Sequence, residues 1–308
     1  MQAMEEMVDV IEGKRFPRSE EVGCYLCGKT RQSRRIPVRF GMHAMVAECP
    51  DCRMAFQTPR TSPEASLAYM NWRWRSTDDY VGNPTRQMRR AMRQIVYVKQ
   101  YIDRPRRLVD FGAGAGSFVR AALDQGWDAM GIEQSDSARA RAKEFHNVEL
   151  LKEFGKESYD VATMWDVIEH LRDPASVLRT IGEHLTENGL IFIETGNFEN
   201  WRRVVDEDRW GLYRFDHQFY FSPSSLKQVL HRAGFKGFCL LNCNRAHPFH
   251  PKRVFRRPLH SVLSWLECRA KWPEHGDINV MVAVGRREPG LTRRPPRDRH
   301  STALHSSR

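Results

Sequence analysis

Val109-Asp110-Phe111-Gly112-Ala113-Gly114-Ala115-Gly116-Ser117-Phe118 is the stretch on which the fold turns. The apolar run from Leu108 to Phe111 reads as a strand, the alternating glycines as a tight turn, and the residues that follow as a helix start. Gly112, Gly114 and Gly116 delete side chains where the backbone must bend sharply or approach a ligand closely. A nucleotide-like group is the natural occupant of such a turn. A second strand-like run, Ala129 to Ile132, ends at Glu133. An acidic residue about twenty positions past the glycines suits a pair of ribose hydroxyls.

Working outward, strand-like runs lie at 107–111, 128–132, 147–151, 159–164, 189–194, 236–242 and 278–285. Helical runs lie near 116–125, 135–145, 172–185 and 222–234. This alternation predicts an α/β fold, a Rossmann-like, seven-stranded, mostly parallel sheet with helices on both faces. Ligands of such sheets bind beyond the carboxyl ends of the strands. Those positions hold Met164 and Trp165, then Asp166-Val167-Ile168-Glu169-His170-Leu171, and after the next strand Glu194 and Asn197. An aromatic and charged loop, Trp201 to Phe221, carries Asp216-His217. Ser222-Pro223 reads as the start of a helix and Ala233-Gly234 as its end.

Ahead of this domain, four of the seven cysteines form Cys24-x-x-Cys27 and Cys49-x-x-Cys52. Two such knuckles present four thiolates, the number tetrahedral zinc takes in a closed structural site. Ile36, Val38 and Phe40 alternate in the intervening segment, which predicts a hairpin returning through Ala44 to Ala47. Cys239, Cys243 and Cys268 read as buried thiols. Pro59 to Pro63 is a linker, and a helix is expected from Pro63 through Tyr69. Asn71-Trp72-Arg73-Trp74-Arg75 reads as a cap over a site before it reads as an interdomain or base-stacking segment. A helix over 85–103 places Met88, Met92, Ile95, Val96 and Val98 mostly on one side. The domains expected are an N-terminal extension (1–19), a zinc-ribbon-like module (20–60), a helical linker or lid (61–105), the catalytic domain (106–287) and a disordered basic tail (288–308).

The chain of 308 residues carries a formal charge of +11, much of it in the Arg-, Pro- and Ser-rich stretch from Arg286 onward. A second basic run, Arg86 to Arg107, reads as a solvated helix face in preference to a phosphate-binding surface. No apolar run of about 18 residues exists, so no membrane span is expected. The N-terminus lacks the basic start and apolar block of a signal peptide, and a cytoplasmic protein is expected.

Taken in order, these blocks resemble the class I S-adenosylmethionine (SAM)-dependent methyltransferases. Val109 to Ser117 resembles their first motif, Gly131-Ile132-Glu133 the second, and Tyr159-Asp160 with Asp166 to Leu171 the third region. Asp216-His217 and Tyr220 to Leu226, ending in Ala233-Gly234-Phe235, resemble a branch that modifies sugars, quinone precursors and other small molecules. The paired knuckles resemble those of zinc-containing sugar C-methyltransferases. The resemblance covers roughly 85 to 285, with the zinc module in front. It implies that Gly112, Gly114 and Gly116 lie under the methionine and ribose of SAM. It also implies that Asp110 orients the loop, Glu133 holds the ribose hydroxyls, and Met164 and Trp165 line the cofactor pocket. Phe154-Gly155-Lys156 stands where many relatives carry an acidic residue for adenine.

The function expected is methyl transfer to carbon or oxygen of a small acceptor, a sugar or natural-product precursor. The alternatives are an RNA methyltransferase gripping phosphates with its zinc module and basic segments, and a non-catalytic SAM-fold partner protein. His217 is the first candidate base and His170 the second, since imidazole titrates near neutrality. Tyr69, Glu194, Asn197 and Tyr220 are candidates to touch the acceptor. Asp166, Glu169 and His170 would share one face of a helix and could hold Mg²⁺; packing is the preferred reading for them.

Overall fold

In the computed structural model of the chain the residues described are 7–11, 14–30, 34–37, 45–76, 84–104, 106–200, 203, 207–241 and 280–287. The N-terminal part has six short strands among the described residues: β1 (Met7–Ile11) pairs antiparallel with β2 (Lys14–Glu20), followed by β3 (Arg34–Pro37), β4 (Met45–Glu48), β5 (Ala55–Thr58) and β6 (Arg60–Thr61). Of the expected hairpin, β3 and β4 pair antiparallel, while Val38, Phe40 and Ala44 lie outside the described residues. Two helices follow, α1 (Pro63–Ser76) and α2 (Pro84–Lys99).

The remaining elements alternate. They are β7 (Arg107–Phe111), α3 (Ser117–Asp124), β8 (Asp128–Ile132), α4 (Asp136–His146), β9 (Tyr159–Trp165), α5 (Pro174–Glu183) and β10 (Leu185–Gly196). Then come β11 (Phe219–Tyr220), α6 (Pro223–Arg232), β12 (Phe235–Leu241) and β13 (Val280–Arg287). Local chemistry sets the helix starts. The Ser135 hydroxyl caps α4, the Asp173 carboxylate caps α5 ahead of Pro174, and Ser222 and Ser225 form a capping box at α6.

The central sheet runs β12-β13-β10-β9-β7-β8. Strands β8, β7, β9 and β10 are mutually parallel, and β13 is antiparallel to both its neighbours. It has six strands among the described residues rather than the seven expected. The segment 147–151 contributes a single bridge, Ile132 to Leu151, because Asn147 adopts a left-handed conformation that closes α4 instead of opening a strand.

Strand alternation sends apolar side chains to both faces. Val109, Ala162, Ile191 and Ile193 pack with Leu178 and Ile181 of α5 and Leu226 and Val229 of α6. Leu108, Val161 and Phe192 pack on the other face with Ile95 and Val98 of α2 and Phe118 and Ala121 of α3. The buried stripe of α2 is Ala91, Gln94, Ile95 and Val98; Met92 and Val96, expected on it, are exposed.

A second sheet, β11-β5-β4-β3, crosses from the strands that flank the Cys49–Cys52 knuckle into the segment before α6. Tyr25 adds a tie, donating to Asp173 at 2.5 Å and accepting from the Ala175 N–H at 2.9 Å. Burial and the Asp173 carboxylate push its phenol up to about 12. Arg232 at the end of α6 donates to the Leu26 carbonyl. Cys239 is exposed on edge strand β12 instead of buried. Cys243, Cys268 and the basic tail from 288 lie outside the described residues. No described helix is long and apolar enough to cross a membrane.

Candidate functional site

The glycine turn sits at the carboxyl end of β7, beside the end of β8. Gly112, Gly114 and Gly116 all have positive φ (74°, 55° and 76°), which an L side chain resists. A Cβ at Gly112 would stand 2.6 Å from Val167 Cγ2, so this glycine makes room for the loop after β9. Glu133 accepts from the N–H groups of Gly114 (2.9 Å) and Ser135 (2.8 Å), which fixes its carboxylate across the turn. Burial raises its pKa against the pull of those hydrogen bonds. Asp110 is buried in β7 and accepts from Thr163 Oγ1 at 2.6 Å. Burial, with the Glu133 charge nearby, pushes its carboxyl up to about 7.

Met164 and Trp165, adjacent on β9, point to opposite faces. Met164 is fully buried in the core beneath α5 and α6, and Trp165 packs against Phe118, ring centres 5.0 Å apart. The Trp165 indole N–H is buried and has no hydrogen-bond partner among the described residues. A donor stranded at a strand end next to a left-handed glycine turn fits a polar ligand there.

Arg90 of α2 departs from the solvated face the sequence predicts. Arg89 and Arg93 are exposed, but Arg90 turns inward to the Asp166 carboxylate and to Glu194 Oε1 at 2.6 Å. Gln94, one turn on, also donates to Glu194 at 3.2 Å. Glu194, expected to face an acceptor, is therefore fully buried in a charge pair. Asn197 is buried and its side-chain oxygen accepts from the Glu199 N–H.

The second group of expected residues gathers around a 3-10 turn, Ile168–His170, where a helix was assumed. Asp166 lies outside that turn with φ 57° and is engaged by Arg90, so it does not share a face with Glu169 and His170. His217 comes in its place, its ring 4.8 Å from that of His170. Glu169, His170 and His217 offer ligand atoms within 4.8 Å of one another. Burial pushes the Glu169 carboxyl up to about 7, while Thr195 donates to it at 2.9 Å. Burial, with the neighbouring His170, pushes His217 down to about 3. His170 Nδ1 donates to the Asp216 carbonyl at 3.0 Å, which leaves Nε2 as the acceptor nitrogen. Burial would raise Asp216, but the surrounding His170, His217, Arg73 and Arg214 hold it at about 2.

Tyr69 and Tyr220 belong to a buried aromatic cluster with Phe16, Phe198, Trp210, Tyr213 and Phe215. Tyr69 accepts from Arg73 at 3.1 Å, and Arg73 stands 3.5 Å from Asp216. Tyr220 accepts from Gln57 at 2.8 Å. Burial raises both phenols. Helix α1 also reaches the cofactor side of the site, where Ser135 donates to Asn71 at 3.0 Å.

The cysteine knuckles have matching backbones. Gly28 and Arg53 donate to the Cys24 and Cys49 carbonyls, and both adopt positive φ. The sulfurs of Cys24, Cys27, Cys49 and Cys52 lie within 4.8 Å of one another. Burial pushes the thiols of Cys24 and Cys52 up, the latter to about 11. The four sulfurs together could hold a metal ion.

The fold is that of the class I SAM-dependent methyltransferases. A family model described as "Methyltransferase domain" matches residues 83–240, and the chain belongs to that family. Relatives described as ubiquinone biosynthesis O-methyltransferase include one from Histophilus somni, 28% identical over 143 residues (40% of this chain, 57% of the relative). Another, from Nitrosospira multiformis, is 31% identical over 115 residues (32% and 48%). The chain thus spans about half the length of the curated relatives it matches. A chain in the complex between the Haloferax volcanii Trm112 methyltransferase activator and a methyltransferase aligns with TM-score 0.51 and 13% identity, over 70% of this chain and 96% of that one. This last likeness speaks to the fold alone.

Proposed function

We propose that the chain is a SAM-dependent methyltransferase acting on oxygen or carbon of a small acceptor, a sugar or other natural-product precursor. The observation that carries this reading is the left-handed glycine turn at 112–116 with the Glu133 carboxylate across it. When bound, SAM would supply a methyl on a sulfonium, which leaves by in-line displacement. Gly112, Gly114, Gly116 and Glu133 would hold the nucleoside part, and the Trp165 indole N–H would meet an acceptor atom beside it. Asp110 would steady the turn from within β7. Met164 would support this wall from behind. Family membership and the relatives' names support the reaction class.

His170 is the better base of the two histidines. Its Nδ1 is committed to a carbonyl, its Nε2 is available, and its side chain is 25% exposed. A histidine held at about 3 is a poor proton acceptor near neutrality, so His217 orients His170 and Asp216 instead. Tyr69, Tyr220 and Asn197 would shape the acceptor side, and the Arg90–Glu194 pair would fix the floor between the two halves. Mg²⁺ at Glu169, His170 and His217 is the less favoured reading, since hard cations prefer an oxygen-rich set and Asp166 is engaged elsewhere. The four cysteines would hold Zn²⁺ in a structural role, with no position left for substrate. A screen of sugars, phenols and RNA, read by formation of the demethylated cofactor, tests the proposal. Turnover on a small molecule supports it; turnover on RNA alone overturns the acceptor class.

A further inference from the structure

Between the cysteine knuckles and the turn after β9 lies a cavity of about 250 Å³ that shares no lining residue with the 110–133 region. Tyr25, Phe56 and Phe219 form its apolar wall; Arg60, Arg172 and Gln218 form the polar one. Arg60 and Arg172 both reach the carboxylate of Glu20, Arg60 through Nε at 3.0 Å. Arg172 also donates to the Thr61 carbonyl at 2.7 Å. Among the described residues the terminal nitrogens of Arg60 make no hydrogen bond. Two guanidiniums facing one carboxylate leave this wall electropositive.

Gln218 is 3% exposed, yet its carboxamide oxygen has no donor among the described residues. Its backbone is not free to turn away, because its N–H donates to the Glu169 carbonyl at 2.7 Å and its carbonyl accepts from Gln57. Buried acceptors are nearly always satisfied in folded proteins; this oxygen is closed off from the cavity as it stands and would gain a donor if the carboxamide turned toward a ligand there. One water occupies roughly 30 Å³ and would leave most of the cavity unfilled. The volume suits one six-membered ring with a charged substituent and falls short of a nucleotide.

We propose that this cavity binds a small hydroxylated anion of monosaccharide size, its phosphate or carboxylate against Arg60 and Arg172 and a hydroxyl donating to Gln218. The ring would lie against Tyr25, Phe56 and Phe219. This site stands on its own side chains and does not depend on the methyl-transfer reading. It does touch that machinery from behind, since Arg172 and Gln218 flank Glu169 and His170 in sequence and hydrogen bonding.

The test is calorimetric titration of the full chain with glucose 6-phosphate, glucuronate and glucose, with and without SAM. At least one of the two anions should bind and glucose should not. Arg60→Gln should weaken the anion roughly tenfold or more, the scale of one lost charge-assisted hydrogen bond. Gln218→Leu, which keeps the packing and removes the acceptor, should weaken it about threefold to tenfold with an unchanged melting temperature. Formation of demethylated cofactor with the bound anion would identify it as the acceptor; binding without turnover would identify a separate ligand, and either upholds the pocket. Binding of neither anion, or binding to well-folded Arg60→Gln with wild-type affinity, overturns it.

Discussion

The glycine turn and the proposed acceptor wall lie at the ends of neighbouring strands but are made of different material. The turn is backbone: positive-φ glycines after β7 and a carboxylate after β8 that accepts from two N–H groups. The wall is side chains drawn from distant segments: Gln57 donates to Tyr220, and Tyr69, Arg73, Asp216 and His170 are linked in turn by hydrogen bonds and an ion pair. A backbone cradle is fixed by the sheet that carries it. A side-chain wall is fixed only while the knuckles, α1 and the segment before α6 all stay docked. The lesson is that cofactor binding should survive many changes that abolish turnover.

Removing the cysteine cluster proposed to hold a metal is the severest way to break that comparison. Replacing Cys49 and Cys52 with Ser should release the metal, detected by elemental analysis, at a cost on the order of 10 kcal/mol of binding free energy to the module. Because β5 pairs with β11, acceptor turnover should vanish while SAM affinity falls far less. Equal loss of both would show that the two regions are one unit.

Gly112→Ala should break the turn itself. Positive φ and the approach of Val167 predict a loss of about 2–4 kcal/mol in urea denaturation, with SAM binding lost as well. His170→Gln should reduce kcat by about 10² to 10⁴ with SAM affinity unchanged, and His217→Gln should do less. A larger effect at His217 would reverse their roles.

The last effect is one of pH and concerns Asp110. Its folded pKa, about 7, lies above that of a free carboxyl, so the folded state holds the extra proton between the two values. This group's contribution to stability is therefore greatest at low pH and falls as pH rises from about 4 to 7. Asp110→Asn can still accept from Thr163 and should flatten that part of the stability profile, measured by denaturation at several pH values. An identical slope in the variant would remove Asp110 as its source.

The turn and the knuckles were legible because their chemistry is local: glycine permits left-handed backbone, and Cys-x-x-Cys spacing brings two sulfurs together. The order of strands and helices followed from apolar runs for the same reason. The seventh strand failed where Asn147 capped α4. Arg90 was obscured by its basic neighbours, although its pairing with Gln94 four residues on, at the edge of the Ala91, Ile95 and Val98 stripe, marks a polar face turned inward. The replacement of Asp166 by His217 beside Glu169 and His170 could not be read from spacing. It depends on a 3-10 turn after β9 and on the docking of a loop nearly fifty residues away in the chain.

Calorimetric titration of the full chain with SAM, beside its Glu133→Ala and His217→Ala variants, tests the central claim most directly. The account predicts one site in the wild type, affinity reduced roughly tenfold to a hundredfold in Glu133→Ala, and wild-type affinity in His217→Ala. No binding to the wild type, or equal affinity in all three proteins, would contradict it.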